Sequence, residues 1–119
     1  MQVFTKFTVN AARRLPNLPV DHVCARLHGH TFGIEVQVTG DIDGHSGWVI
    51  DFADIEQPVN RVLAELEHRY LNDVAGLENP TSENLAAWLW ARVAPDVPSL
   101  SCIVITEGVG RGCRYYGPA

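Results

Sequence analysis

The chain has 119 residues, with 9 Lys plus Arg against 14 Asp plus Glu, which gives a formal net charge of −5. That acidity argues against non-specific binding to nucleic acid or to a membrane surface. Hydrophobic residues make up 46% and charged residues 19%, so the composition is that of a folding chain, and its length suits one domain over 1–119.

Val3 to Ala11 alternates loosely, with Phe7, Val9 and Ala11 in one phase, and predicts a strand at about 2–12. Pro16 and Pro19 make 15–21 a loop. From His30 to Gly40, Phe32, Ile34, Val36 and Val38 alternate with Gly33, Glu35, Gln37 and Thr39, the pattern of a half-buried strand. Turn residues fill 41–47. Phe52, Ile55, Val59, Val62, Leu66 and Tyr70 then step along one face of a helix. Pro58 sits badly inside a helix, so a separate turn at 51–54 is expected, with the main helix from about 55. A loop is expected at 72–79. The run NPTSEN at 79–84 starts a second helix, which Pro95 and Pro98 stop at about Val93. Strands are expected at 101–107 and 113–117, separated by Gly108, Gly110 and Gly112. The order β-β-α-α-β-β implies an α+β fold with an antiparallel sheet covered on one face.

Cys24, Cys102 and Cys113 form no disulfide framework. Lys6, Asn10, Arg13 and Arg14 interrupt any apolar run in 1–20, and 18 apolar residues never run together. The expectation is a cytoplasmic protein without a signal peptide or a membrane span. A chain this small also has little room to enclose a deep pocket, so a catalytic site would be expected between subunits.

Three clusters carry candidate chemistry. His28 and His30, two apart at a strand start, aim both rings to one face in phase with Phe32 and Ile34. They suit metal ligation, and equally two imidazoles capping a loop; a catalytic zinc takes three protein ligands. Cys24 lies nearby between His22 and Arg26, and a neighbouring cation favours a thiolate, though a free Cys is also often inert. Glu67 and His68 end the first helix, where adjacent residues do not face each other, so a solvated helix end competes with an acid–imidazole pair. Glu107 stands on the apolar phase of its strand and needs a partner, such as a ligand with two adjacent N–H donors.

These pieces occur together in FTVNAARRLP, CARLHGHTF, GWVIDFADI, LEHRYLND, NPTSENLA and ITEGVGRGCRYYG, which span nearly the whole chain. In them the chain resembles the 6-pyruvoyltetrahydropterin synthase / 6-carboxytetrahydropterin synthase family, and the C-x-x-x-H-G-H spacing is similar to its bacterial carboxy branch. The resemblance implies the tunnelling fold: a four-stranded antiparallel sheet with two helices on one side. Three chains would close a barrel and two barrels stack into a homo-hexamer, a dimer of trimers. It implies 7,8-dihydroneopterin triphosphate or a related pterin as substrate, and a zinc held by three His that polarises substrate oxygens. By the same resemblance Cys24 is the general base, His68 with Glu67 the second acid/base group, and Glu107 with Thr81 and Ser82 the pterin anchor.

Two positions depart from the family. Arg13 stands where the family carries a zinc-binding His, and arginine has no lone pair to give. His28 and His30 are then an incomplete metal site, expected to be empty, and Arg13 becomes a substrate-side cation. No cofactor is expected. Glu67 stands where the family has Asp, and a carboxylate displaced by about 1 Å can cost ~100-fold in rate. The sequence thus favours a pterin-binding homologue with lost or altered lyase chemistry. The alternatives are a working synthase, with zinc rescued by a residue such as His22, and a structural or regulatory module.

Overall fold

Alternating apolar and polar residues build the first half of the sheet. The computed structural model describes all 119 residues and pairs β1 (Gln2–Arg13) antiparallel with β2 (His28–Thr39), with Phe7 opposite Ile34 and Val9 opposite Phe32. Between them, Val23–Ala25 forms a 3-10 turn. Two helices follow, α1 (Phe52–Leu63) and α2 (Ser82–Val93), and then β3 (Leu100–Glu107) and β4 (Gly112–Tyr115). The strands lie in the order β1-β2-β3-β4, all antiparallel. Gly108 (φ 65°) and Gly110 (φ 93°) supply the left-handed backbone of the tight β3–β4 turn. The architecture is the α+β order expected from the sequence.

The first helix differs from expectation at both ends. There is no separate turn at 51–54: α1 is continuous from Phe52, capped by the Asp51 carboxylate, which accepts from the Ala53 N–H at 2.9 Å. Pro58 lies inside it and is buried. A proline there forfeits a helical hydrogen bond at about 3 kcal/mol, which the cap and the buried apolar face offset. The helix also stops at Leu63 rather than near Tyr70. Leu66 is buried, so the apolar spacing continues, but it does so on turns. A second 3-10 turn, Leu71–Asp73, overlaps the start of the stretch expected to be loop. α2 begins as expected, with the Thr81 hydroxyl accepting from the Asn84 N–H at 3.1 Å.

The core lies between the sheet and the helices. Val9, Phe32 and Ile105 from the sheet meet Ile55, Leu85 and Leu89 from the helices, all at most 1% exposed. Each such side chain contributes roughly 1.5–3 kcal/mol on burial. No helix is long and apolar enough to cross a membrane. β3 ends with Glu107 opposite Phe32, so β2 from His28 to Thr31 and β1 from Asn10 to Arg13 project beyond it as a two-stranded end. The candidate site is built on that end.

Candidate functional site

Strand phase divides the projecting end into two faces. Arg13 lies opposite His28 and Ala11 opposite His30, on the side of the core. Asn10 lies opposite Thr31 on the other side. The structure thus separates the sequence-predicted residues into two groups.

On the core side, Arg13 is only 2% exposed. One guanidinium nitrogen donates to the Pro80 carbonyl at 2.9 Å, and the other forms an ion pair with Glu107 Oε1. The guanidinium carbon lies 5.0 Å from the centroid of the Phe32 ring, a favourable place for a cation. The Arg13 Nε is buried and has no hydrogen-bond partner. The Ser82 hydroxyl donates to Glu107 Oε2. Burial pushes the Glu107 carboxyl up, but the Ser82 hydrogen bond, the Arg13 charge and His30 pull it down further, and it is held below its ordinary value. Both groups of the pair are therefore charged at neutral pH.

His28 and His30 sit beside this pair, with ring centroids 4.5 Å apart in an edge-on arrangement. His28 Nδ1 lies 2.6 Å from the Arg26 carbonyl, which it meets as a donor, leaving Nε2 with its lone pair. His30 Nε2 is 4.0 Å from Glu107 Oε1. Burial first, then the Arg13 charge and His28, lower the His30 pKa, so its ring is neutral at pH 7. No group of three or more His, Cys, Asp or Glu side chains is placed so that it could hold a metal ion.

On the other face, the free edge of β1 is completed by the segment after α1. The His68 N–H donates to the Asn10 carbonyl at 2.6 Å, and the Ala12 N–H to the Arg69 carbonyl at 2.9 Å. The Asn72 side chain continues the edge, accepting from the Arg14 N–H at 2.9 Å and donating to its carbonyl at 2.7 Å. Glu67 Oε2 accepts from the Asn10 N–H at 3.1 Å, and Oε1 from the Asn10 side-chain amide at 3.2 Å. Those two bonds hold the Glu67 carboxyl below its usual range. His68 has a left-handed backbone (φ 56°), which costs on the order of 1 kcal/mol. Glu67 and His68 are not the helical neighbours, unable to face each other, that the sequence leads one to expect. They lie beyond the helix, and His68 Nε2 stands 3.3 Å from Glu67 Oε1. An open cleft of about 490 Å³ beside them is lined by Asn10, Ala12, His30, Thr31, His68 and Tyr70 among others.

Cys24 is partly exposed on its 3-10 turn, and its side chain joins neither group's hydrogen bonds. His22 caps that turn, its Nδ1 accepting from the Cys24 N–H at 3.0 Å. Cys102 is fully buried, and burial raises its thiol pKa. Thr81 serves as the cap of α2, while Ser82 is the member of that pair that reaches Glu107. Asn10 and Thr31 escaped the sequence reading. Their only signal is an amide and a hydroxyl sharing the outward phase of paired strands.

A sequence model of the family described as 6-pyruvoyl tetrahydropterin synthase matches residues 2–118. A 6-carboxy-5,6,7,8-tetrahydropterin synthase of Synechocystis sp. is 35% identical over 122 residues, covering 98% of this chain and 93% of that protein. A dihydroneopterin monophosphate aldolase of Pyrococcus furiosus is 44% identical over 72 residues, covering 60% of each. Among solved structures, the 6-pyruvoyl tetrahydropterin synthase of Caenorhabditis elegans superposes with a TM-score of 0.90 at 25% identity, over 99% of this chain and 96% of that one.

Proposed function

The chain belongs to the 6-pyruvoyl tetrahydropterin synthase family, and on that premise we propose that it binds a pterin-class small molecule and that the family's zinc-dependent lyase chemistry is lost or altered in it. The observation that carries this reading is the ion pair between the buried Arg13 and the half-buried Glu107. By family resemblance a zinc would be held by three His. The chain offers His28 and His30 for two of those places and Arg13 for the third. A guanidinium has no lone pair and brings a fixed positive charge. These residues do not fit a zinc held by three protein ligands.

The pterin reading rests on what Glu107 has left. A carboxylate has about four lone-pair sites, and Arg13 and Ser82 take one on each oxygen. The side chain keeps 21% of its exposure. One acceptor site per oxygen therefore remains for a planar ring with adjacent N–H donors. Cys24 as base and His68 with Glu67 as acid/base group are proposed by resemblance, and the His68–Glu67 contact supports the second. The chain is similar both to a protein named as a synthase and to one named as an aldolase, so the fold leaves the reaction type open.

Titration calorimetry with 7,8-dihydroneopterin triphosphate is the test. Saturable binding is expected, and Glu107→Gln should weaken it roughly 10- to 100-fold, the worth of a charge-assisted hydrogen bond. No binding, or equal affinity for both proteins, contradicts the reading.

We also propose a homo-hexamer. β1 and β4 are the outer strands of the sheet, and the β1 edge before Asn10 is not covered by the segment after α1. Such edges invite pairing with another chain. Sedimentation as a 13.1 kDa monomer at micromolar concentration would overturn this.

A further inference from the structure

We propose that Asn10 is a positioning residue: it holds Glu67 against His68, so that His68 keeps its proton on Nε2 and presents Nδ1 to the cleft. The geometry is carried by Asn10 alone among the residues of β1, because all four of its polar groups are engaged with this one cluster. Its backbone N–H and side-chain amide donate to the two oxygens of Glu67, and its carbonyl accepts the His68 N–H at 2.6 Å. Its Oδ1 accepts the Thr31 hydroxyl at 2.7 Å.

The amide has one possible orientation. A carboxylate only accepts, so the Nδ2 side must face Glu67 and the oxygen must face Thr31. Thr31 therefore acts from behind, as the donor that stops the amide from turning over. Glu67, held at both oxygens, has no freedom to leave His68. Nε2 stands 3.3 Å from the negatively charged Glu67 oxygen, and that charge favours the tautomer with the proton on the nearer nitrogen. An imidazole has two nitrogens, and Nδ1 is then the one with a lone pair to offer. The left-handed turn at His68 belongs to the same device. It lets the side chains of residues 67 and 68 meet, and the short bond to the Asn10 carbonyl pins it. Arg69 and His30 also line the cleft, and neither is hydrogen-bonded to the Asn10 side chain.

The role of His68 toward a ligand rests on the pterin-site reading, but its tautomer can be measured without any ligand. Long-range ¹H–¹⁵N correlation of the His68 ring, at a pH where the ring is neutral, should show the Nε2–H form in larger excess than in free histidine. Asn10→Ala should lower that excess several-fold, toward the free-histidine ratio. The two backbone bonds of residue 10 survive that substitution. Thr31→Val, which leaves Asn10 in place and removes only the donor behind it, should shift the ratio in the same direction by less. A wild-type ratio equal to that of free histidine overturns the proposal. So does a ratio that neither variant changes. Failure of pterin binding would leave this result standing, and an unlocked tautomer would leave pterin binding standing.

Discussion

Two carboxylates are held by the last four residues of β1, one on each face, and they are held differently. Glu107 faces the core side, where a guanidinium that is 2% exposed pairs with it. Glu67 lies at the open edge, bonded to the neutral backbone and side chain of Asn10. Both carboxyls are held below their ordinary value. The same direction of shift has different consequences. A charge pair away from water resists screening, and removing one partner strands the other. Hydrogen bonds at a solvated edge orient a group and add little to stability. The first arrangement fixes Glu107 firmly while leaving lone pairs for a ligand, and the second orients Glu67 toward its neighbour His68.

Removing one partner from each pair is the sharpest way to break the comparison. Arg13→Ala leaves Glu107 without its cation beside the core, and a loss of about 2–4 kcal/mol in unfolding free energy is expected, somewhat under the range for a fully buried pair. Glu67→Gln should leave the denaturation midpoint near that of the wild type. Urea unfolding of both at neutral pH checks this. Equal losses would show that the two carboxylates are not energetically distinct.

Acid should act next, and more gently. The His30 pKa is lowered from 6.5 and that of Glu107 from 4.5. In each case the folded state binds fewer protons than the unfolded chain until the pH falls through the folded value. The stabilisation is therefore complete above the ordinary value and is lost on acidification below it. His30 opens the loss below pH 6.5, and Glu107 extends it below pH 4.5. Thermal melts across this range should fall in that order, and His30→Gln should flatten the upper part. A melting temperature that is constant from pH 6.5 to 4.5 would contradict the account of His30.

What the sequence made legible follows from how local each cause is. The alternation from Phe32 to Val38 predicts β2, because a strand's period is written in its own residues. Glu107 is marked by lying on the apolar phase of its strand, which demands a partner, and Arg13 is marked by its departure from the family pattern. That they partner each other was not legible, since it depends on sheet register: β1 reaches past the end of β3, and Pro80 and Ser82 come from the start of α2. The end of α1 is not legible in the spacing, because Leu66 keeps the helical step while packing on a turn. The Glu67–His68 contact is hidden with it, since it requires a left-handed backbone at a residue with no glycine to announce it. Asn10 was invisible for the complementary reason. Its partners are fifty-seven positions away at Glu67 and twenty-one at Thr31.

The central claim is that Arg13 stands where a third metal ligand would be needed. Elemental analysis of the purified protein after extensive dialysis tests it most directly, with Arg13→His measured alongside. The account predicts zinc far below one per chain in the wild type and a clear rise in the variant. Close to one zinc per wild-type chain, or no rise on introducing the imidazole, would contradict it.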